Sequence, residues 1–173
     1  MKRIYAPWRD NYTTKTAHKS TEDMKSEDCV FCQHFSEDND DKHLILRRFK
    51  YMVVMLNRFP YNAGHLLILP LEHQAALNDL TPAARTELIE LTNHCVEILR
   101  KALNAHGVNI GMNLGKAAGA GIPAHLHMHA LPRWRGDTNF LPLLAELKPV
   151  SADLKKIFET LKPHFKAIKL KKN

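Results

Sequence analysis

The chain has 173 residues, is 45% apolar and carries a formal net charge of +7. This length suits one domain with a single hydrophobic core, and the composition excludes disordered and fibrous proteins. No apolar run reaches the ~20 residues of a membrane helix and the chain starts without the apolar stretch of a signal peptide, so we expect a cytoplasmic protein. The positive charge favours anionic partners. Because much of it lies in the C-terminal tail, where charge runs are usually solvated, we do not expect a nucleic-acid partner.

Residues 1–43 are polar, and we expect them to form an irregular arm. The arm contains a C-x-x-C pair, Cys29 and Cys32, whose spacing suits a metal site or a redox couple in a chain without a secretory signal. His34 and His43 lie near this pair, and we interpret them as surface residues.

The apolar pattern then predicts three strands, one long helix, two further strands and a short C-terminal helix. We expect the strands at residues 44–46, 51–56, 65–69, 108–113 and 125–131 and the last helix over about 152–161. Successive strands around one long helix predict an α+β fold with an antiparallel sheet. We expect one compact domain, made of the arm at 1–43, a catalytic core at 44–145 and a helix with a basic tail at 146–173.

The long helix has a clear start. Thr81 suits the N-cap position, and Pro82 suits the first helical position, where its missing N–H costs nothing. Apolar residues, among them Cys95, recur at three- and four-residue steps to about Ala105, and Gly107 is predicted to close the helix. We interpret Cys95 as a small buried residue.

His125, His127 and His129 alternate with apolar residues in the last predicted strand. Residues two apart in a strand lie ~6.6–7 Å apart on one face, so the three imidazoles are expected to form a row. An imidazole titrates near neutral pH and can act as nucleophile, proton donor or phosphate ligand. A neutral central histidine could attack phosphorus while its neighbours offset the charge on the phosphate oxygens.

A catalytic metal is the alternative interpretation of this row, because His-x-His strands also supply zinc and iron ligands. Such sites need a further donor, often a carboxylate a few residues on. The next residues, Ala130-Leu131-Pro132-Arg133, contain no carboxylate. The pattern therefore favours nucleophilic catalysis.

The run His125-Leu126-His127-Met128-His129-Ala130-Leu131 resembles the motif of the histidine-triad (HIT) superfamily. The segment at 57–70, which includes Asn57 and His65, resembles the family's first nucleotide-binding strand pair, and the whole similarity covers about residues 28–142. The segments at 113–121 and 132–140 look like the bacterial group that includes diadenosine tetraphosphate phosphorylases and HIT hydrolases.

The resemblance implies an antiparallel sheet flanked by helices, a homodimer and a nucleotidyl-histidine intermediate. Dinucleoside polyphosphates such as diadenosine tetraphosphate would be cleaved at the α-phosphate, by phosphorolysis or hydrolysis. His127 would be the nucleophile, while His129 and His65 would bind phosphate or steer protons. The implied nucleotide-binding residues are Asn57, Asn113, Lys116, Gly121 and Trp134.

Gly121 departs from the pattern of many hydrolase members, which carry glutamine at this position. We expect backbone N–H groups of the glycine-rich loop to supply the missing contact to the phosphate chain. Two other functions stay open. One is a nucleoside phosphoramidase, which cleaves an N–P bond through the same intermediate, and the other is a non-enzymatic nucleotide-binding regulatory protein.

The resemblance also implies a structural zinc ion, held by Cys29, Cys32, His73 and His125. Two sulfur and two nitrogen ligands form the tetrahedral set that zinc prefers, and four protein ligands leave no open position for water. In that case His125 would leave the catalytic row to His127 and His129.

Overall fold

The structure is a computed structural model, which describes residues 24–139 and 153–170. Within them the chain forms a five-stranded antiparallel sheet and three α-helices, so the predicted α+β fold is confirmed. The strands are β1 (Ile45–Arg48), β2 (Met52–Leu56), β3 (Leu66–Pro70), β4 (Gly107–Met112) and β5 (Met128–Arg133), and the helices are α1 (Val30–Ser36), α2 (Pro82–Leu103) and α3 (Leu154–Lys166). Three parts of the chain lie outside the described residues: 1–23, 140–152 and 171–173. The first belongs to the predicted arm, the second contains the predicted start of the last helix, and the third is the end of the tail.

The two faces of the sheet bury different layers, because successive side chains along a strand point to opposite sides. The strands lie in the order β1-β2-β3-β5-β4. On one face, α2 and α3 pack against a core that includes Val54 and Ile68. On the other face, Phe31 of α1 packs against Val53 and Leu67. His129 of β5 pairs with Leu67 of β3, so its side chain lies on the face that α1 covers.

The start of α2 is as predicted, and its end is not. The hydroxyl of Thr81 accepts the Ala84 N–H at 3.2 Å. The prediction that Gly107 closes the helix is wrong, because the helix ends at Leu103 and Asn104 adopts the left-handed conformation with φ 52°. Asparagine tolerates this conformation better than most residues.

Three other predicted boundaries differ from the structure. The arm contains α1 and is therefore not irregular throughout. The last strand begins at Met128 rather than His125, because its partner β3 ends at Pro70, which has no N–H for the ladder. The C-terminal helix continues past residue 161 to Lys166, since the completely buried Phe165 adds a further turn to the core.

The interpretation of His43 as a surface residue is wrong. Its side chain is 5% exposed, its ring stacks on that of His34 and its Nε2 lies 2.9 Å from a Glu37 carboxylate oxygen. Cys95 is buried on α2, as predicted. No helix in the described ranges combines the length and apolarity needed to cross a bilayer.

Candidate active site

His127 is oriented by the backbone of the residue two positions before it. Its Nδ1 lies 2.7 Å from the carbonyl oxygen of His125. A carbonyl oxygen only accepts, so Nδ1 carries the proton, and Nε2 of the neutral ring has the free lone pair. Burial lowers the pKa of His127, although the bond to the His125 carbonyl opposes this shift. The ring is therefore neutral at pH 7, with Nε2 as a potential nucleophile.

A chain of hydrogen bonds sets the tautomers of two neighbouring histidines. The backbone N–H of Tyr61 donates to Nδ1 of His65 at 3.2 Å. Neutral His65 therefore carries its proton on Nε2, which lies 2.8 Å from Nδ1 of His129. His129 in turn carries its proton on Nε2. This atom is buried and has no hydrogen-bond partner among the described residues, so it is available to a substrate oxygen.

Burial keeps this histidine pair neutral. His65 is 0% exposed, and burial, with smaller effects of His129 and His127, lowers its pKa to about 3. The pKa of His129 falls to about 4, again chiefly because of burial and then because of His127. A neutral His129 can still donate a hydrogen bond through its Nε2–H to a phosphate oxygen.

His127 and His129 line a pocket of about 70 Å³. Three of the predicted nucleotide-binding residues, Asn57, Asn113 and Gly121, also line it. The remaining lining residues are apolar or aromatic: Phe31, Phe59, Tyr61, Leu67 and Ile122.

Three residues from the predicted site lie outside the pocket lining in the described chain. His65 lies behind His129, and its Nδ1 is also 3.3 Å from the Asn57 amide nitrogen. Lys116 is exposed on a single 3-10 turn, Lys116–Ala118. The Trp134 indole donates to the Leu103 carbonyl at 3.1 Å, at the end of α2. Roles for Lys116 and Trp134 in nucleotide binding stay predictions.

Sequence reasoning missed the aromatic side chains of the pocket. Phe59 and Tyr61 lie inside the segment that resembles a nucleotide-binding motif, where aromatic residues in a loop are a usable signal of a ligand surface. Phe31 lies between the two cysteines of the C-x-x-C pair. Its place in the pocket depends on the packing of α1, for which the local sequence gave no clear signal.

A cluster of four side chains could hold a metal ion, because their ligand atoms all lie within 4.8 Å of one another. The cluster consists of Cys29, Cys32, His73 and His125. Nδ1 of His125 is 3.4 Å from Sγ of Cys29, and Nδ1 of His73 is 3.3 Å from Sγ of Cys32. Tetrahedral zinc, with bonds of ~2.0–2.3 Å, would place sulfur and nitrogen ligands about 3.6 Å apart. The side chains are therefore close to the separations that such an ion requires.

Both imidazoles of this cluster have the tautomer that a metal requires. Nε2 of His125 donates to the Pro70 carbonyl, and Nε2 of His73 donates to the Met24 carbonyl, each at 2.9 Å. The Nδ1 lone pairs therefore face the sulfur atoms, in the usual arrangement for metal-binding histidines. Without a cation, burial and then the neighbouring Cys29 raise the pKa of Cys32 to about 12. A divalent ion would instead favour the thiolates.

The metal cluster and the pocket share structural elements. α1 carries Phe31 between the two cysteines, and the Phe31 ring lies 5.8 Å from the His127 ring and 5.5 Å from the His125 ring. His125 directs its side chain to the cluster and its carbonyl to His127. An ion in the cluster would therefore hold one wall of the pocket and the residue that orients His127.

Comparisons with known proteins show which family this chain is similar to. A family model described as HIT domain matches residues 38–136. An AP-4-A phosphorylase of Mycobacterium tuberculosis is 31% identical over 150 residues, which cover 87% of this chain and 77% of that protein. An asymmetrical bis(5'-nucleosyl)-tetraphosphatase of Schizosaccharomyces pombe is 32% identical over 93 residues, 54% of this chain and 50% of that protein.

A crystal structure of a zinc-bound histidine triad family protein from Mycobacterium smegmatis superposes with a TM-score of 0.67 at 26% identity. The superposition covers 82% of this chain and 96% of that one.

The neutral state of His65 predicts a pH-dependent contribution to stability. Its pKa is about 3 in the folded chain and ~6.5 when unfolded, so the unfolded state binds the proton more readily. The contribution is complete above pH ~6.5 and falls toward pH 3 by up to about 1.4 kcal/mol per pH unit. We expect the free energy of unfolding, measured in urea, to fall more steeply in this range for the wild type than for His65→Gln. Parallel pH profiles of the two proteins would contradict this prediction.

Proposed function

The chain belongs to the HIT domain family, and on that basis we propose that it is an enzyme that cleaves dinucleoside polyphosphates, such as diadenosine tetraphosphate, at the α-phosphate. The observation that carries this proposal is the orientation of His127. Its Nδ1–H is bound to the His125 carbonyl, and its ring lines the pocket, so Nε2 is the nitrogen available for attack. The names of the two relatives, a phosphorylase and a tetraphosphatase, support this substrate class.

In the proposed first step, Nε2 of His127 forms a bond to the α-phosphorus, and the bond from that phosphorus to the bridging oxygen breaks. ATP leaves, and AMP stays bound to His127 as a nucleotidyl-histidine. Charge that develops on the phosphate oxygens would be stabilised by the Nε2–H of His129, which has no partner among the described residues. His65 acts behind His129, because its own nitrogens are engaged by Tyr61 and His129.

In the second step, inorganic phosphate attacks the same phosphorus, the N–P bond breaks and ADP is released. Phosphate is our first choice of acceptor over water, and two observations support it. Gly121 lines the pocket at the position where many hydrolase members of the resembled group carry glutamine. A relative that is 31% identical and covers 87% of this chain is named a phosphorylase.

We expect purified protein to convert diadenosine tetraphosphate to ATP and ADP only when inorganic phosphate is present, as measured by chromatography of the products. His127→Asn should lower the turnover number by about 10³-fold or more, because it removes the attacking nitrogen. The matched control is His164→Asn, the same substitution at an exposed position of α3, which should keep full activity.

Each alternative function has its own product pattern. ATP and AMP without phosphate would indicate a hydrolase, whereas two ADP would contradict attack at the α-phosphate. No cleavage by the wild type would favour a phosphoramidase or a nucleotide-binding regulatory protein.

We further propose that the cluster of Cys29, Cys32, His73 and His125 binds a structural zinc ion. The set of two sulfur and two nitrogen ligands is the one that zinc prefers, and a histidine-triad protein of similar structure is described as zinc-bound. Bound there, zinc would supply folding stability and would leave the chemistry to the histidines.

We expect elemental analysis to find about one zinc ion per chain in the wild type, as four protein ligands provide one closed site. Cys32→Ser should lose the ion and lower the melting temperature. Cys95→Ser, a buried cysteine outside the cluster, should keep the ion whatever its effect on stability. Full zinc content in Cys32→Ser would refute the assigned ligands.

The homodimer that the resemblance implies is also a proposal, and the edge strand β4 supports it. β4 lies at one edge of the described sheet, and its Ile110 side chain is 56% exposed. A strand edge with unpaired backbone groups and an exposed apolar side chain favours pairing with another strand.

We expect light scattering to give about twice the chain mass of 19.8 kDa. Ile110→Lys should shift the protein toward the monomer because it places a charge at the proposed interface. Thr160→Lys, at an exposed position of α3, is the control. A wild type that is monomeric at all concentrations would exclude the dimer.

A further inference from the structure

We propose that Phe59 and Tyr61 form an aromatic platform at the mouth of the pocket that stacks the base of the departing nucleotide. This inference rests on the proposed function and adds a binding site for the second nucleoside of the substrate. The platform would distinguish dinucleoside polyphosphates from nucleotides that have a polyphosphate chain but only one nucleoside.

The size of the pocket requires a surface of this kind. The pocket has a volume of about 70 Å³, whereas pockets that enclose a drug-sized ligand have ~300–1,000 Å³. A dinucleoside tetraphosphate carries two bases, two riboses and four phosphates. Only the region around one phosphate fits inside the pocket, so the rest of the substrate must lie on the surface around its mouth.

The two aromatic side chains are more exposed than the other apolar side chains of the pocket wall. Phe59 is 37% exposed and Tyr61 is 40% exposed, while Phe31 is 8% and Leu67 is 4% exposed. Among the large apolar side chains exposed in the described ranges, these are the two aromatic ones; the others are Ile89, Ile110 and Leu114. Exposed aromatic side chains beside a nucleotide site suit the stacking of a nucleobase.

The position of Tyr61 indicates the departing side of the substrate. Its ring lies 6.0 Å from the His129 ring, at an interplanar angle of 19°, and 4.8 Å from the His65 ring. We assign the Nε2–H of His129 to phosphate oxygens at the reacting phosphorus, and because the leaving group departs roughly in line with the attack by His127, we place the departing chain on the side of His129. A leaving nucleotide that contacts His129 therefore extends over Tyr61, with Phe59 two residues away in the same loop.

The loop that carries the platform is held in place before any ligand binds. The Asn57 N–H donates to the His65 carbonyl at 2.8 Å, and the Phe59 N–H donates to the Asn57 side-chain oxygen at 2.9 Å. The buried Asn62 amide donates to the Pro132 carbonyl at 3.1 Å. Because these bonds fix the backbone on both sides of Tyr61, stacking would require little further ordering of the loop.

Two substrates separate the contribution of the second nucleoside from the chemistry. Diadenosine tetraphosphate and adenosine 5'-tetraphosphate share the reacting phosphorus and the four phosphates, but the latter lacks the second nucleoside. We expect Phe59→Ala and Tyr61→Ala each to lower the ratio of the two kcat/KM values by about 5- to 150-fold, since stacking on an aromatic ring is worth ~1–3 kcal/mol per base. Effects on attack at phosphorus act on both substrates and cancel in this ratio.

Phe59→Trp should retain the wild-type ratio, because tryptophan also offers a flat aromatic face. Ile89→Ala, an exposed apolar residue on α2, is the control and should also leave the ratio unchanged. A ratio that is unaffected by both Phe59→Ala and Tyr61→Ala would overturn the platform while the enzyme activity stands. If the wild type cleaves neither substrate, the proposed function fails, and the platform fails with it.

Discussion

The hydrogen bond from Nδ1–H of His127 to the His125 carbonyl is the contact on which the rest of the site depends. This bond leaves Nε2 as the nitrogen with the free lone pair. The position of the His125 carbonyl also determines the orientation of the His127 ring. His125 is itself held from two sides, by the Pro70 carbonyl at the end of β3 and by the sulfur atoms beside α1. The nitrogen that we propose as the nucleophile is thus oriented by buried packing rather than by a surface loop, which is the preorganisation that catalysis requires.

The tautomer of His129 is also set by a backbone group, but His129 presents an N–H where His127 presents a lone pair. A backbone N–H at Tyr61 makes His65 an acceptor at Nδ1, and the next ring, His129, then presents an N–H rather than a lone pair. His127 and His129 are thus neutral imidazoles with their centroids 5.0 Å apart, and they would offer different groups, a lone pair and an N–H, to the phosphate of the proposed substrate. His129 lies on β5 and His127 lies just before its first residue, so the two rings are only two residues apart along the chain.

Much of this arrangement could be predicted from the sequence, where periodicity and local capping carry the information. The fold class and the start of α2 at Thr81 are of this kind. The proximity of Cys29 and Cys32 to His73 and His125 is instead implied by the family resemblance. Features that depend on tertiary contacts could not be predicted. The short helix α1 is stabilised by packing on the sheet rather than by its own propensity, and the exposure of His43 is decided by its contacts with His34 and Glu37.

The strand order has a consequence for how the chain reaches its native state. β1, β2 and β3 are neighbours in both sequence and space, so residues 45–70 can pair through local contacts. The pairing of β3 with β5 joins Ile68 to Met128 across the whole of α2 and β4, and such distant contacts form slowly because a long loop must first close. We therefore expect the loop with His65 and Tyr61 to form early through local contacts, and His127 to join it later with the distant strand. The pocket between them comes into existence only when the last long-range pairing of the sheet is made.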